Sequence, residues 1–187
     1  MARYLLLRLY LLSLLYILSY ASDTPTVYLI RHGEKSGDPL DSGLNPDGSK
    51  RAECIRNVFG AGSPYDIGYI MAPYINKKGQ HRRSYETVLP LANDLGLTVD
   101  TSCKRNRVWC VGDKVRNYKG PGNILIAWRH GKMAELAEDL GIEEPPEYPE
   151  DRFDLLWTMP FPYDNITNIQ SEECPELDVP KALTVQG

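Results

Sequence analysis

The chain has 187 residues and a net charge of −4, with 21 basic against 25 acidic side chains, which excludes a generic nucleic-acid or anionic-membrane surface. Residues 1–21 carry Arg3 and Arg8, an apolar run over 9–18, and small residues Ser19 and Ala21 before a cleavage point, which is the grammar of a signal peptide. The run is also about as long as a bilayer span, but the small-residue site and the absence of basic residues after it favour cleavage over a membrane anchor. Residues 22–187 then form one domain, long enough to bury a good core.

The first element after the leader is Val27-Tyr28-Leu29-Ile30, a run of strand formers that stops at Arg31-His32-Gly33. In an open α/β sheet, ligands bind beyond the carboxyl ends of strands, so Arg31, His32 and Gly33 are expected at such a crevice. A Gly-, Pro- and Asp-rich turn follows over 37–43. Asn45-Pro46-Asp47 reads as a helix start, with Asn45 as cap, Pro46 in the first turn and Asp47 facing the helix dipole. Ala52, Ile55, Val58 and Phe59 continue it as an apolar stripe that Gly60 ends.

Residues 67–72 read as a second strand and 80–95 as a second helix, with Pro90 an awkward interior residue. A short strand over 97–100 leads into a basic loop between Cys103 and Cys110, and a short helix is expected over 114–118. Residues 123–128 are the clearest buried strand, ending in Arg129-His130-Gly131. A third amphipathic helix covers 133–140. After an acidic, proline-rich loop, a last strand is expected over 152–158, and from about 159 the chain reads as an irregular tail. Alternating strands and helices predict a three-layer α/β/α domain with a mostly parallel central sheet.

The four cysteines, Cys54, Cys103, Cys110 and Cys174, form an even set, which in a secreted chain indicates two disulfides. Three pairings are possible. Cys103–Cys110 would close a tight loop and leave Cys54–Cys174 to tie an early helix to the tail. The spacings match no zinc pattern. Asn165-Ile166-Thr167 is a sequon and marks an exposed, glycosylated loop if the chain is secreted.

Two strands thus end in the same spelling, Arg-His-Gly, and a third basic group, His81-Arg82-Arg83, opens the second long helix, where free N–H groups attract anions. Two histidines and several arginines around one crevice suit a phosphoryl group. Here the chain resembles a known family. Leu29-Ile30-Arg31-His32-Gly33-Glu34, Gly43-Leu44-Asn45-Pro46-Asp47-Gly48, Arg83-Ser84-Tyr85-Glu86-Thr87 and His130-Gly131 resemble, in order, the motifs of the histidine phosphatase superfamily, which includes the cofactor-dependent phosphoglycerate mutases. The cysteines, the Pro-rich tail and Phe153-Asp154-Leu155-Leu156-Trp157 look most like its small secreted fungal members.

The resemblance implies a secreted phosphatase that hydrolyses phosphomonoesters with neither metal nor cofactor. His32 would attack phosphorus, Arg31 and Arg83 would hold the equatorial oxygens, and His130 would add a hydrogen bond or a charge. The other ring nitrogen of His32 should donate to a backbone carbonyl. Gly33, Asn45, Lys104 and Arg105 complete the expected substrate-binding set. Glu34 is either a supporting residue or a solvated loop acid, and Arg82 and His81 are read as a solvated face or pocket rim. Arg129 stands where fungal relatives often carry an acid. Strand alternation is expected to turn it away from His130 into a surface ion pair.

One part is missing. Mutase-like relatives take the acid that protonates the leaving oxygen from the loop that here reads Ser102-Cys103-Lys104-Arg105-Asn106-Arg107, with three bases and no carboxylate. Asp38, Asp41, Asp100 and Asp113 are substitutes. The partner expected is a phosphorylated small molecule, polyanionic if the basic loop contacts it, without nucleic acid and without a membrane anchor once the leader is cleaved; the sequence carries no sign of oligomeric state. The alternatives are a catalytically weakened protein that binds a phosphorylated ligand and, behind it, a phosphomutase, whose glycolytic chemistry sits oddly in a secretory route.

Overall fold

The computed structural model describes residues 24–38 and 41–178. The signal-peptide reading of residues 1–21 lies outside the described residues. Six strands, β1 (Val27–Arg31), β2 (Ile67–Met71), β3 (Val99–Asp100), β4 (Asn123–Trp128), β5 (Leu155–Met159) and β6 (Asn168–Ser171), form one sheet in the order β3-β2-β4-β1-β5-β6. The first four pair in parallel, while β5 and β6 add an antiparallel edge. The mostly parallel sheet expected from the alternation of elements is present.

Four helices cover the sheet: α1 (Pro46–Val58), α2 (Arg83–Leu95), α3 (Val108–Asn117) and α4 (Met133–Leu140). Successive residues of β1 alternate between faces, as strand geometry requires. Tyr28 and Ile30 join Ile55 of α1 and Val88 and Leu91 of α2 on one side. Val27 and Leu29 join Val111 of α3 and Leu136 of α4 on the other. The β4 strand is buried along nearly its whole length because both faces are covered.

Asn45 caps α1 as expected, its side-chain oxygen accepting from the Gly48 N–H at 2.8 Å. The start of α1 lies directly on the turn after β1. A Cβ on Gly48 would sit 2.3 Å from the Glu34 carbonyl oxygen, and one on Gly33 would sit 3.0 Å from that of Gly48. Two glycines therefore let two backbones touch, which fixes the loop that carries His32.

Three boundaries differ from the sequence reading. The second helix begins at Arg83, not at 80, because His81 takes a left-handed φ of 72° and turns the chain just before it. The expected short helix at 114–118 is the end of a longer one, α3. Its apolar stripe of Val108, Val111 and Val115 begins inside what reads as a basic loop. The tail expected to be irregular from about 159 contains β6, paired with β5 from Leu155↔Ser171 to Thr158↔Asn168. As a half-exposed edge strand with polar residues around Ile169, β6 carries no alternation to detect. The helix α2 runs through Pro90.

Both disulfides form, in the tight-loop pairing: Cys103–Cys110, and Cys54–Cys174 across 120 residues.

Candidate active site

Strand β1 delivers His32 to the end of the sheet. Its backbone N–H donates to the Trp128 carbonyl at 2.9 Å, which continues the β1–β4 ladder one residue past the Arg31↔Trp128 pair. The Nδ1–H of the ring donates to the Gly33 carbonyl at 2.8 Å, since a carbonyl can only accept. The lone pair is therefore on Nε2, the tautomer the sequence argument required. Burial lowers the His32 pKa to about 4, and the charges of Arg31, Arg83 and His130 act in the same direction against the Gly33 bond. The ring is neutral at physiological pH.

The loop is held from the α2 side as well. The Gly33 N–H donates to Thr87 Oγ1 at 2.9 Å, and that hydroxyl donates to the Arg83 carbonyl at 2.8 Å. The spacing of Arg83 and Thr87 is thus one helical turn that clamps the histidine loop. Arg83 donates through Nε to the Gly43 carbonyl at 3.1 Å and through Nη2 to that of Asp41.

His32 lines a cavity of about 310 Å³ together with Arg83, Arg105, Arg129, His81 and Asp41. Arg129 is a correction to the sequence reading. It lines the cavity with His32 and makes no ion pair among the described residues, so it is not the surface ion pair expected. Its Nε is buried without a hydrogen-bond partner. His81 also lines the cavity, whereas Arg82 is the solvated neighbour, paired with Glu86 at 2.7 Å. No sequence signal distinguished Arg129, because its side depends on the register between two strands 97 residues apart.

The remaining expected residues do not line this cavity. Arg31 is buried, with Nη1 bonded to the carbonyls of Glu150 at 2.7 Å and Arg152 at 2.5 Å, and its guanidinium carbon lies 3.8 Å from the centre of the Phe153 ring. Through Nη1 it braces the segment before β5; its Nε is buried without a partner and its charge acts on His32, though it does not line the cavity. His130 opens a short 3₁₀ turn, His130–Lys132, and is not among them either, though its charge is felt at His32. Asn45 spends its side chain on the α1 cap and on the Lys35 carbonyl at 3.3 Å, so it positions the loop instead of reaching the cavity. Lys104 lines a neighbouring cavity. Asn165 is exposed in the connection between β5 and β6.

Of the substitute acids, Asp41 lines the cavity. The Gly43 N–H at 2.8 Å and the Ser36 hydroxyl at 2.9 Å hold its carboxyl below the usual range. Asp100 is bound to Tyr69, Ser102 and Lys114, and Asp113 to Arg116.

Glu34 is not a solvated acid. It forms an ion pair at 2.7 Å with Arg51 of α1, a fully buried guanidinium that also contacts Glu172 and Asp178, each at 2.7 Å. Burial pushes the Glu172 carboxyl up to about 8 despite Arg51, and repulsion from Asp178 and Asp154 adds to this, so it keeps its proton at neutral pH. With the Cys54–Cys174 bridge, this cluster ties the 172–178 segment to the histidine loop. Arg51 was missed because a buried arginine on an amphipathic helix reads as one of its polar positions.

No family model and no curated protein matches the chain. Solved structures do. A protein histidine phosphatase SixA complexed with tungstate superposes with a TM-score of 0.60 at 15% identity, covering 79% of this chain and 97% of that one. The chain has the histidine phosphatase fold. A phosphoserine phosphatase from Entamoeba histolytica, in complex with 3-phosphoglyceric acid, gives 0.56 at 13% identity over 79% and 97%. A mycobacterial glucosyl-3-phosphoglycerate phosphatase with inorganic phosphate gives 0.50 at 16% over 72% and 89%. Within the histidine phosphatase fold, this chain places a neutral histidine with a free Nε2 in a cavity walled by arginines.

Proposed function

We propose that the protein is a phosphomonoester phosphatase that works through a phosphohistidine on His32. The observation that carries this reading is the tautomer: Nδ1–H is committed to Gly33, which leaves Nε2 unprotonated beside Arg83, Arg105 and Arg129. In the first step the Nε2 lone pair forms a bond to phosphorus as the bond to the leaving oxygen breaks. The arginines stabilise the equatorial oxygens, where charge gathers. In the second step water attacks phosphorus, the P–N bond breaks and phosphate leaves. The solved structures of similar fold include a protein histidine phosphatase and a phosphoserine phosphatase, which supports the class of reaction.

The leaving oxygen needs a proton unless it leaves as a stable anion. Asp41, the carboxylate at the cavity, is held ionised near neutral pH. The proposed enzyme therefore prefers aryl and other good leaving groups, and acidification does not widen that range, because His32 takes up its proton at about 4 while Asp41 is still ionised. The same observation favours a second reading, a protein that binds a phosphorylated ligand with little turnover. Steady hydrolysis of an aryl phosphate that is lost in His32→Ala supports the phosphatase. Tight phosphate binding without hydrolysis supports the binder. A phosphomutase ranks below both.

The leader-like residues 1–21, the two disulfides and the exposed sequon at Asn165 support a secreted glycoprotein. Among the described residues no helix is long and apolar enough to cross a membrane. Glycosidase-sensitive migration of protein recovered from culture medium tests this, and retention of residues 1–21 on an intracellular form would contradict it.

A further inference from the structure

The His32 cavity has a neighbour. A second cavity of about 480 Å³ is lined by Tyr74, Asn76, Lys104, Asn106 and Arg107, and it shares His81 and Arg105 with the first. The wall between the two is a pair of side chains: Arg105 Nη1 donates to His81 Nδ1 at 3.3 Å. This bond leaves the His81 proton on Nε2, a neutral donor at the junction. His81 is held there by a left-handed backbone, an arrangement a histidine rarely adopts without a surrounding structure that imposes it.

The basic loop is anchored, not merely charged. The Cys103–Cys110 disulfide closes it, the Trp128 indole N–H donates to the Arg105 carbonyl at 3.1 Å, and the Tyr74 N–H donates to the Cys103 carbonyl at 2.8 Å. Two helices open toward the two cavities with no side-chain cap, α2 behind Arg83 and the ten-residue α3 behind Arg107. Uncapped N-termini add positive potential where the side chains already supply it. Across both cavities five cationic side chains face one carboxylate, Asp41, which is occupied by Gly43 and Ser36.

We propose that the second cavity is an anion subsite, and that the protein selects small molecules carrying two phosphoryl groups, one over His32 and the other against Lys104, Arg105 and Arg107. The reaction assigned to the first group rests on the phosphatase reading; the recognition of the second does not.

The test uses non-hydrolysable phosphonates and the full wild-type chain. Calorimetry compares alkane bisphosphonates of increasing length with the matching alkyl monophosphonates. A charge-assisted contact predicts that the best bisphosphonate binds about ten- to hundredfold more tightly than its monophosphonate. The double substitution Lys104→Gln and Arg107→Gln should reduce that ratio to within about twofold of one. Equal affinity of the two series at every length overturns the proposal, and so does a ratio that the double variant retains. Thermal unfolding of the variant confirms that it is folded, and Lys104→Gln alone serves if it is not. Aryl phosphate hydrolysis is assayed separately. Its absence alongside a preserved bisphosphonate preference would remove the phosphatase reading and leave the subsite.

Discussion

His32 and Arg129 lie side by side at the ends of adjacent parallel strands, each one residue beyond the Arg31↔Trp128 pair. The two Arg-His-Gly strand ends are therefore out of step by one position. The residue opposite His32 in that register is Arg129, and His130 comes one position later, at the start of the 3₁₀ turn. The second strand end brings a guanidinium to the cavity, and the His130 imidazole one residue further on also acts on His32 through its charge.

Arg129 should consequently matter more than its sequence context implies. Arg129→Ala is expected to lower kcat/KM for an aryl phosphate about ten- to hundredfold, the size of a lost charge-assisted hydrogen bond. His130→Ala should cost less. Steady-state kinetics of the two variants side by side checks the order, and a larger loss in His130→Ala would contradict it.

The contact between Gly48 and the Glu34 carbonyl makes α1 a mould for the histidine loop. With a Cβ 2.3 Å from a backbone oxygen, Gly48→Ala must displace one backbone from the other. The expected outcome is a destabilisation of about 1–3 kcal/mol by denaturant unfolding, with activity reduced beyond the loss of folded protein. Gly131→Ala is the control, because a Cβ there meets nothing within 4 Å.

The buried Arg51 cluster should be the most sensitive polar site in the fold. Arg51→Ala leaves Glu34 and Asp178 without their cation, and breaking a buried pair from one side costs about 3–5 kcal/mol. Chemical denaturation measures it. A loss below about 1 kcal/mol would mean that the cluster is solvated in solution.

Two buried groups give opposite pH dependences. His32 has a folded pKa lowered from 6.5 to about 4, so between these values the unfolded chain binds more protons and stability falls on acidification. Glu172 has a folded pKa raised from 4.5 to about 8, so between these values the folded chain binds more protons, and its contribution, complete in acid, is lost as pH rises from 4.5 to about 8. Proton-detected titration of the histidine rings should place the His32 midpoint near 4. In His32→Asn the acid-side loss of stability should shrink, and in Glu172→Gln so should the loss between 4.5 and about 8.

The parts of the site that were legible in the sequence are local in sequence. The strand-to-loop break at His32, the Asn45 cap and the turn from Arg83 to Thr87 each depend on neighbours a few residues away, and periodicity or capping chemistry reveals them. The side that Arg129 faces depends on the β1–β4 register, and Arg51 on three carboxylates from distant segments. The β6 strand is polar and edge-lying, so its only signal is its partner. Nothing in the sequence signalled the local demand on Arg31 Nη1 from the carbonyls of the 149–152 segment.

In the proposed reaction His32 carries the phosphoryl group. The most direct measurement is alkaline quenching of the wild-type protein during aryl phosphate turnover, followed by mass-spectrometric mapping of the modified peptide. One phosphoryl group is expected on His32, none in His32→Ala, and no turnover by that variant. Turnover by His32→Ala, or a phosphoryl group on another residue in its place, would contradict it.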